Sequence, residues 1–195
     1  DVYKRQANRL SPWKEDTLCN TFSVSKAMAS ACILKLIEEK KINLNEKVSF
    51  YWPEYGKNGK ENTKIFDLLT HRAGMFAFEK NFKVSNEEWT NWDLFINKLS
   101  KQKPFYPPGS AQSYHALTFG FLVGEIVRRV DGRSIGEFFK KNIAEPYDID
   151  FIFGLNEKEI KRTSDIVMSK IRSPFLTKVL LSTPPWLIPK RFIPV

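Results

Sequence analysis

The sequence is short of the residues from which metal sites and disulfide frameworks are built. Its 195 residues include only two cysteines and two histidines. Cys19 and Cys32 lack metal-ligand spacing, and Cys32 falls in an apolar helical stretch, so no disulfide framework is expected. His71 and His115 form neither an HxH nor an HExxH pattern, which leaves zinc little to bind. No metal and no cofactor is expected. Also missing is any run near the roughly 18 to 20 apolar residues of a membrane span, because the most apolar stretch, Ala27 to Ile37, is interrupted by Lys35. No charged-then-apolar leader follows Asp1, and no polar tail follows Phe192-Ile193-Pro194-Val195, so both ends read as cuts. The opening Asp1 to Gln6 reads as unrelated to what comes after. The covered residues read as soluble, with the cytoplasm as the default compartment.

What is present is a globular composition, with 42% apolar residues and a formal net charge of +9. That charge invites an anionic partner, since clustered Lys and Arg attract phosphate. Here the signs are interleaved: Glu38-Glu39-Lys40-Lys41, Lys57 to Lys64 around Glu61, and Glu157 to Arg162 read as solvated faces of helices and loops. Nucleic acid is not an expected partner.

Local signals are mostly helical. Phe22 to Glu39 is rich in Ala, Met, Leu, Ile, Lys and Glu, lacks Gly and Pro, and is apolar on nearly every side, so it is expected to be a buried central helix. Asn43 to Lys64, with Pro53, Gly56 and Gly59, reads as a long connection with turns. Ile65 to Thr70 reads as a short helix closed near Gly74. Ser85 and Glu88 form a capping box expected to open a helix to about Ser100. Beyond the rigid turn Pro107-Pro108-Gly109, Ser113 is expected to cap a helix that stops at Gly132, and Ser134 with Glu137 to cap another ending before Pro146. Asn156 can cap a further short helix, and the last thirty residues read as loop. Strand signals are scarce: Asp150 to Gly154 and part of Leu10 to Cys19 are the candidates.

Three S-x-x-K patterns occur, at Ser11, Ser23 and Ser100, so the bare pattern selects nothing. Context favours Ser23. Three helical residues turn about 300°, which brings Lys26 back to the face of Ser23 one turn on. The helix end offers unpaired N–H groups and partial positive charge to an oxyanion forming there. A lysine entering a partly dry environment titrates lower, toward a value useful to a base, and a serine hydroxyl needs such a neighbour to attack. The alternative is a capping serine beside a lysine that reaches out to water.

Longer stretches carry a resemblance. Pro12-Trp13 through Asp16-Thr17-Leu18 into Phe22-Ser23-Val24-Ser25-Lys26, then Tyr51-Trp52-Pro53-Glu54-Tyr55, then Leu68-Leu69-Thr70-His71-Arg72-Ala73-Gly74-Met75 resemble the β-lactamase-related serine hydrolases, of class C β-lactamase and penicillin-binding-protein type. The run from Pro108-Gly109 through Tyr114, Gly120, Gly124-Glu125 and Arg129 to Gly132-Arg133-Ser134 extends the likeness, which covers about Leu10 to Leu155. It implies an α+β, β-lactamase/transpeptidase-like fold of which this chain holds mostly the helical part. Residues 10–22 would end the α/β part, 23–39 form the nucleophile helix, 40–155 the mostly helical domain, and 156–195 a linker and loop.

The same resemblance implies an acyl-enzyme on Ser23, with Lys26 and Tyr114 sharing the proton work. A phenol serves as base only because the lysine charge stabilises its phenolate. Ala116 stands where peptidases and β-lactamases of this type carry Asn, a side chain that would hydrogen-bond a substrate amide. Its absence points to the esterase-like branch and a small-molecule ester ahead of an amide. His115 is a candidate to line the cleft, although packing against the helix is the plainer role for it. His71, in a family-typical turn, reads as a structural hydrogen-bonding group, and Trp52 and Tyr55 as core aromatics. The third motif of the family, Lys-Thr-Gly or His-x-Gly, does not follow Tyr114. Its absence fits an alternative reading, a catalytically silent binding relative; a β-lactam or D-amino-acid peptide hydrolase is another, and a third is a basic helical adaptor in which the matching motifs are only core and caps.

Overall fold

In the computed structural model, residues 12–80, 82–85 and 87–166 are described, and the loop expected for the final thirty residues lies outside them. The chain divides into two compact units, Asp1–Asn20 with Glu157–Val195, and Thr21–Asn156. In the first unit, the Leu18 amide donates to the Arg162 carbonyl (3.0 Å) and the Ser164 amide to the Leu18 carbonyl (2.8 Å), an isolated parallel bridge beside helix α7, Glu157–Lys161. That bridge is strand-like structure in the stretch ending at Cys19.

The second unit is helical. Its centre is α1, Ser25–Glu38, preceded by a 3-10 turn over Phe22–Val24. Ala29, Cys32, Ile33 and Leu36 recur at the three- and four-residue steps of one helical face, and all four are buried. Leu34 is 56% exposed, so α1 is one-sided here and not sunk in apolar surroundings all round. Burial pushes the Cys32 thiol up to about 12, which leaves it an inert core residue.

Against α1 lies α5, Thr118–Asp131, whose residues from Leu122 to Val127 are all buried. Gly132 ends it in the left-handed conformation (φ 90°), as its place in the sequence predicts. The start of α5 is different from expectation. Ser113 does not cap it; the Ser113 amide donates to the His71 carbonyl at 3.1 Å, and the helix begins only at Thr118. Tyr114, His115 and Ala116 are therefore loop residues.

Two more expectations are redrawn by local bonding. Ser85 and Glu88 do bond reciprocally, but they open a 3-10 turn, Glu87–Thr90, and α4 (Trp92–Lys101) starts afresh with the Asn91 side chain accepting from the Leu94 amide. The connection after α1 contains two short helical pieces, α2 (Val48–Tyr51) and a 3-10 turn, Pro53–Tyr55, pinned by an isolated antiparallel bridge between Lys47 and Lys64. Helix α3, Ile65–Leu69, follows, and both Trp52 and Tyr55 are fully buried.

Helix α6, Ile135–Phe139, opens with the predicted capping box of Ser134 and Glu137 and widens into a π turn over Lys140–Ala144, before Pro146. Residues 150–154 form no strand. Phe151 and Phe153 turn instead onto the Phe139 ring, with centroids at 5.4 and 5.3 Å, and the backbone of Phe153 runs so close to Gly136 that a Cβ there would lie 2.8 Å from its oxygen. Aromatic packing on α6 takes up this segment, and Gly154 turns it away at φ +76°.

Candidate active site

Ser23 sits in the 3-10 turn that leads into α1, and Lys26 in the first turn of the helix. Phe22, just before Ser23, holds a left-handed φ of 46°, a conformation that a bulky residue adopts only where its surroundings impose it. This bend presents Ser23 at the surface, and the Lys26 ammonium donates to its Oγ at 3.3 Å. The Val24 amide already donates to the Thr21 carbonyl (3.1 Å), and the Ser25 amide bonds back within the same turn. Those two N–H groups are thus not free for an oxyanion, and the helix end contributes its partial charge instead.

Tyr114 approaches from the loop before α5. Its hydrogen bonds to Ser23 and to Lys26, with the lysine charge beside them, hold the phenol below its ordinary pKa. Lys26 Nζ also stands 4.9 Å from the centre of the Tyr114 ring. Hydroxyl, ammonium and phenol thus share one proton-bonding cluster, of the kind that can take a proton from a nucleophile and return it to a leaving group.

Two histidines hold the loop that carries Tyr114. The His71 ring lies 4.9 Å from that of Tyr114 and 5.0 Å from that of Phe119, and its Nδ1 accepts from the His115 amide at 3.2 Å. Burial, then the Lys26 charge, holds its pKa below the usual histidine value, so the ring stays neutral and able to accept. His115 itself is fully buried. Its Nε2 accepts from the Met75 amide at 3.2 Å, and its Nδ1 meets the Ser113 carbonyl at 2.7 Å, which assigns the proton to Nδ1. Burial drives its pKa down to about 4. The expectation that His115 lines the cleft is corrected by this burial: both ring nitrogens are spent inside, and packing decides its place. Gly74 completes the turn at φ +70°, where a Cβ would lie 2.3 Å from the Tyr106 oxygen.

Beside the cluster opens a cleft of about 450 Å³, lined by Phe22, Ser23, Ser25, Lys26, Ala29, Ala116, Leu117, Phe119, Gly120 and Phe153. Apolar groups dominate it, and Ala116 faces it. Among the described residues no group of three or more His, Cys, Asp or Glu could hold a metal ion, and no helix is long and apolar enough to cross a membrane.

Sequence reasoning missed a buried ionic centre of the helical unit. Glu125 is fully buried and accepts from Trp92 Nε1 (2.9 Å), Arg128 Nε (2.7 Å) and Nη2 (3.0 Å), and Arg129 Nε (2.7 Å). Burial alone would raise its pKa, but the bonds from Arg128, Trp92 and Arg129 outweigh that and hold it below the usual glutamate value. The signal available in the sequence was an acid followed at three and four residues by arginines.

Comparison with known proteins agrees with this architecture. Esterase/beta-lactamase LipL of Mycobacterium tuberculosis (strain ATCC 25618 / H37Rv) is 31% identical over 152 residues, 77% of this chain and 34% of that protein. Teichoic acid D-alanine hydrolase of Staphylococcus aureus is 25% identical over 141 residues, 72% and 33% of the two chains. A penicillin-binding protein homolog from Caulobacter crescentus superposes with a TM-score of 0.78 at 33% identity, covering 94% of this chain and 50% of its own. A family VIII carboxylesterase matches with a TM-score of 0.78 at 36% identity, covering 83% and 44%. The chain thus spans about a third of the length of the curated relatives it matches. Its fold is the α+β, β-lactamase/transpeptidase-like one, seen here mostly in its helical part. The family model described as Beta-lactamase matches residues 2–176, taking in the opening stretch that had seemed unrelated, and the chain belongs to that family.

Proposed function

We propose that this chain carries the nucleophile and proton-transfer groups of a serine hydrolase that cleaves small-molecule carboxylic esters through an acyl-enzyme on Ser23. The observation that carries the reading is the cluster itself, with Lys26 Nζ 3.3 Å from Ser23 Oγ and 4.9 Å from the centre of the Tyr114 ring. On this reading Ser23 Oγ attacks the ester carbonyl as its proton passes into the Lys26–Tyr114 pair. The tetrahedral intermediate collapses, the C–O bond to the alcohol breaks, and the alkoxide leaves with that proton. Water then enters, gives a proton to the same pair, attacks the acyl carbon, and the proton returns to Ser23 as the acid departs.

The ester preference rests on Ala116, a lining residue of the cleft whose side chain carries no amide. Relatives named as an esterase/beta-lactamase and a family VIII carboxylesterase support the same choice. Residues 23–39 are then the nucleophile helix and 40–155 the mostly helical domain, with 10–22 and 156–195 belonging to the α/β part and its connection. Because the chain spans under half of most relatives it matches, the activity is assigned to the full-length protein. Intact-mass detection of a fluorophosphonate adduct on that protein tests the reading. An adduct that disappears in Ser23→Ala supports it, and no adduct on the full-length protein overturns it.

A further inference from the structure

Four glycines of the helical unit are held small by packing. A Cβ would crowd the Tyr106 oxygen at Gly74, as described above, and would come within 2.4 Å of Ser49 Cβ at Gly56, 2.6 Å of the Trp92 ring at Gly124 and 2.8 Å of the Phe153 oxygen at Gly136. Gly120 is unlike them. It lies in the first turn of α5, has ordinary helical backbone, and a Cβ there would meet nothing within 4 Å among the described residues. Its neighbours Thr118, Phe119, Leu122 and Val123 are buried, whereas Gly120 is exposed and borders the cleft beside Ser23. Neither packing nor φ asks for glycine at this position, and helix propensity argues against it. What glycine does provide is room.

The room is apolar. Around Gly120 the cleft wall is Ala116, Leu117, Phe119 and Ala29, and the one cation in the lining, Lys26, is engaged with Ser23. An anionic substituent would find no free partner among the lining residues, while a hydrocarbon arm would displace water from carbon surface.

We propose that Gly120 is a specificity-determining position: the site takes esters with a neutral hydrocarbon arm of several carbons, which lies over Gly120 while the carbonyl faces Ser23. This rests on the reading of Ser23 as an ester-cleaving nucleophile. A side chain at position 120 would fill the space of the arm and restrict the enzyme to acetate-sized groups.

The test uses the full-length protein as wild type, Gly120→Ala and Gly120→Phe, with Gly120→Leu in place of the last should it not fold. Hydrolysis is followed for p-nitrophenyl acetate, butyrate and octanoate, and for ethyl and octyl acetate. The expected result is that Gly120→Phe lowers the octanoate-to-acetate ratio of kcat/KM at least tenfold, with Gly120→Ala between it and wild type. A fall confined to octyl acetate would place the arm on the alcohol side, and a fall confined to octanoate on the acyl side; both support the proposal. Ratios unchanged in both series, or all esters falling together, overturn it. If the wild type forms a fluorophosphonate adduct and turns over esters while the ratios do not move, this inference alone fails. If the wild type gives neither adduct nor turnover, the nucleophile reading fails with it.

Discussion

Replacing Glu125 by alanine should be among the most damaging single changes in the helical unit. The carboxylate is fully buried and accepts four hydrogen bonds from three side chains, and Arg129 is in turn paired with Glu54 at 2.8 Å and Arg128 with Asp93 at 3.1 Å. Removing one partner of a buried ionic network costs roughly 3–5 kcal/mol, because the others are left unpaired away from water. Here Arg128 and Arg129 keep 41% and 28% side-chain exposure and can recover some solvation, which places the expected loss near the lower figure, about 3 kcal/mol. Trp92 would lose its acceptor too, and it is wedged against Gly124 and packed on Phe121 with centroids 5.1 Å apart. For a protein of 150–250 residues about 3 kcal/mol would lower the melting temperature by roughly 6–12 °C, and by less in the longer full-length protein. Urea and thermal unfolding of the full-length protein give both numbers. Glu125→Gln adds a sign test: the folded pKa is depressed, so the carboxylate's contribution is complete above its unfolded value and disappears as pH falls through the folded one. The wild-type advantage over Glu125→Gln should therefore shrink below about pH 4. A loss under about 1 kcal/mol at neutral pH would refute the reasoning, since that is the range of an exposed ion pair.

Tyr114→Phe should lower kcat by about 10²- to 10⁴-fold with little change in melting temperature, and retention of a tenth of wild-type kcat would argue against a proton-transfer role. Because hydrogen bonds from Ser23 and Lys26 and the lysine charge depress the phenol pKa, kcat/KM should rise with pH to a midpoint below 10, and Lys26→Gln should move that midpoint upward. Lys60 is fully buried, donates to the carbonyls of Ser100 (3.2 Å) and Gln102, and burial lowers its pKa to about 8. Its folded pKa lies below the unfolded one, so the penalty for burying the charge is complete below pH 8 and is relieved between pH 8 and 10.5. The wild type should gain up to roughly 3 kcal/mol over Lys60→Met across that window in urea melts, and parallel stability curves would exclude the effect.

How much of this was legible before the structure depends on the range of the interactions involved. Ser23 and Lys26 meet because of helical periodicity, which acts within one turn, and that much follows from spacing. Gly132 and the Ser134–Glu137 box are local in the same sense, and they hold as read. Ser113 and the Ser85–Glu88 pair differ from expectation for two reasons: the segment of Ser113 is held by a tertiary bond, and a nearer capping residue starts α4. Ser113 gives its amide to His71, and the α4 start is taken by Asn91. Tyr114 could be linked to Ser23 only by resemblance, since no periodicity connects a loop to a helix 91 residues away. Its acidity, and the neutrality of His71 and His115, depend on burial and charge that only the folded chain supplies. The stretch 150–154 holds a short run of strand formers, Phe151-Ile152-Phe153, but here the two phenylalanines serve one neighbour, Phe139.

The two histidines have a consequence for how such a site can diverge. Four bonds stitch residues 71–75 to 113–118: the Ser113 amide to the His71 carbonyl, the His115 amide to His71 Nδ1, the Met75 amide to His115 Nε2, and Thr118 Oγ1 to the Met75 carbonyl. The chain between them is itself anchored, with the Phe105 amide on the Gly74 carbonyl, the Gly109 amide on the Arg72 carbonyl and Trp92 on Glu125. The place of Tyr114 is therefore set by residues 71–75, and change in the surrounding loops is tolerated at the chemical centre only where it spares this clasp.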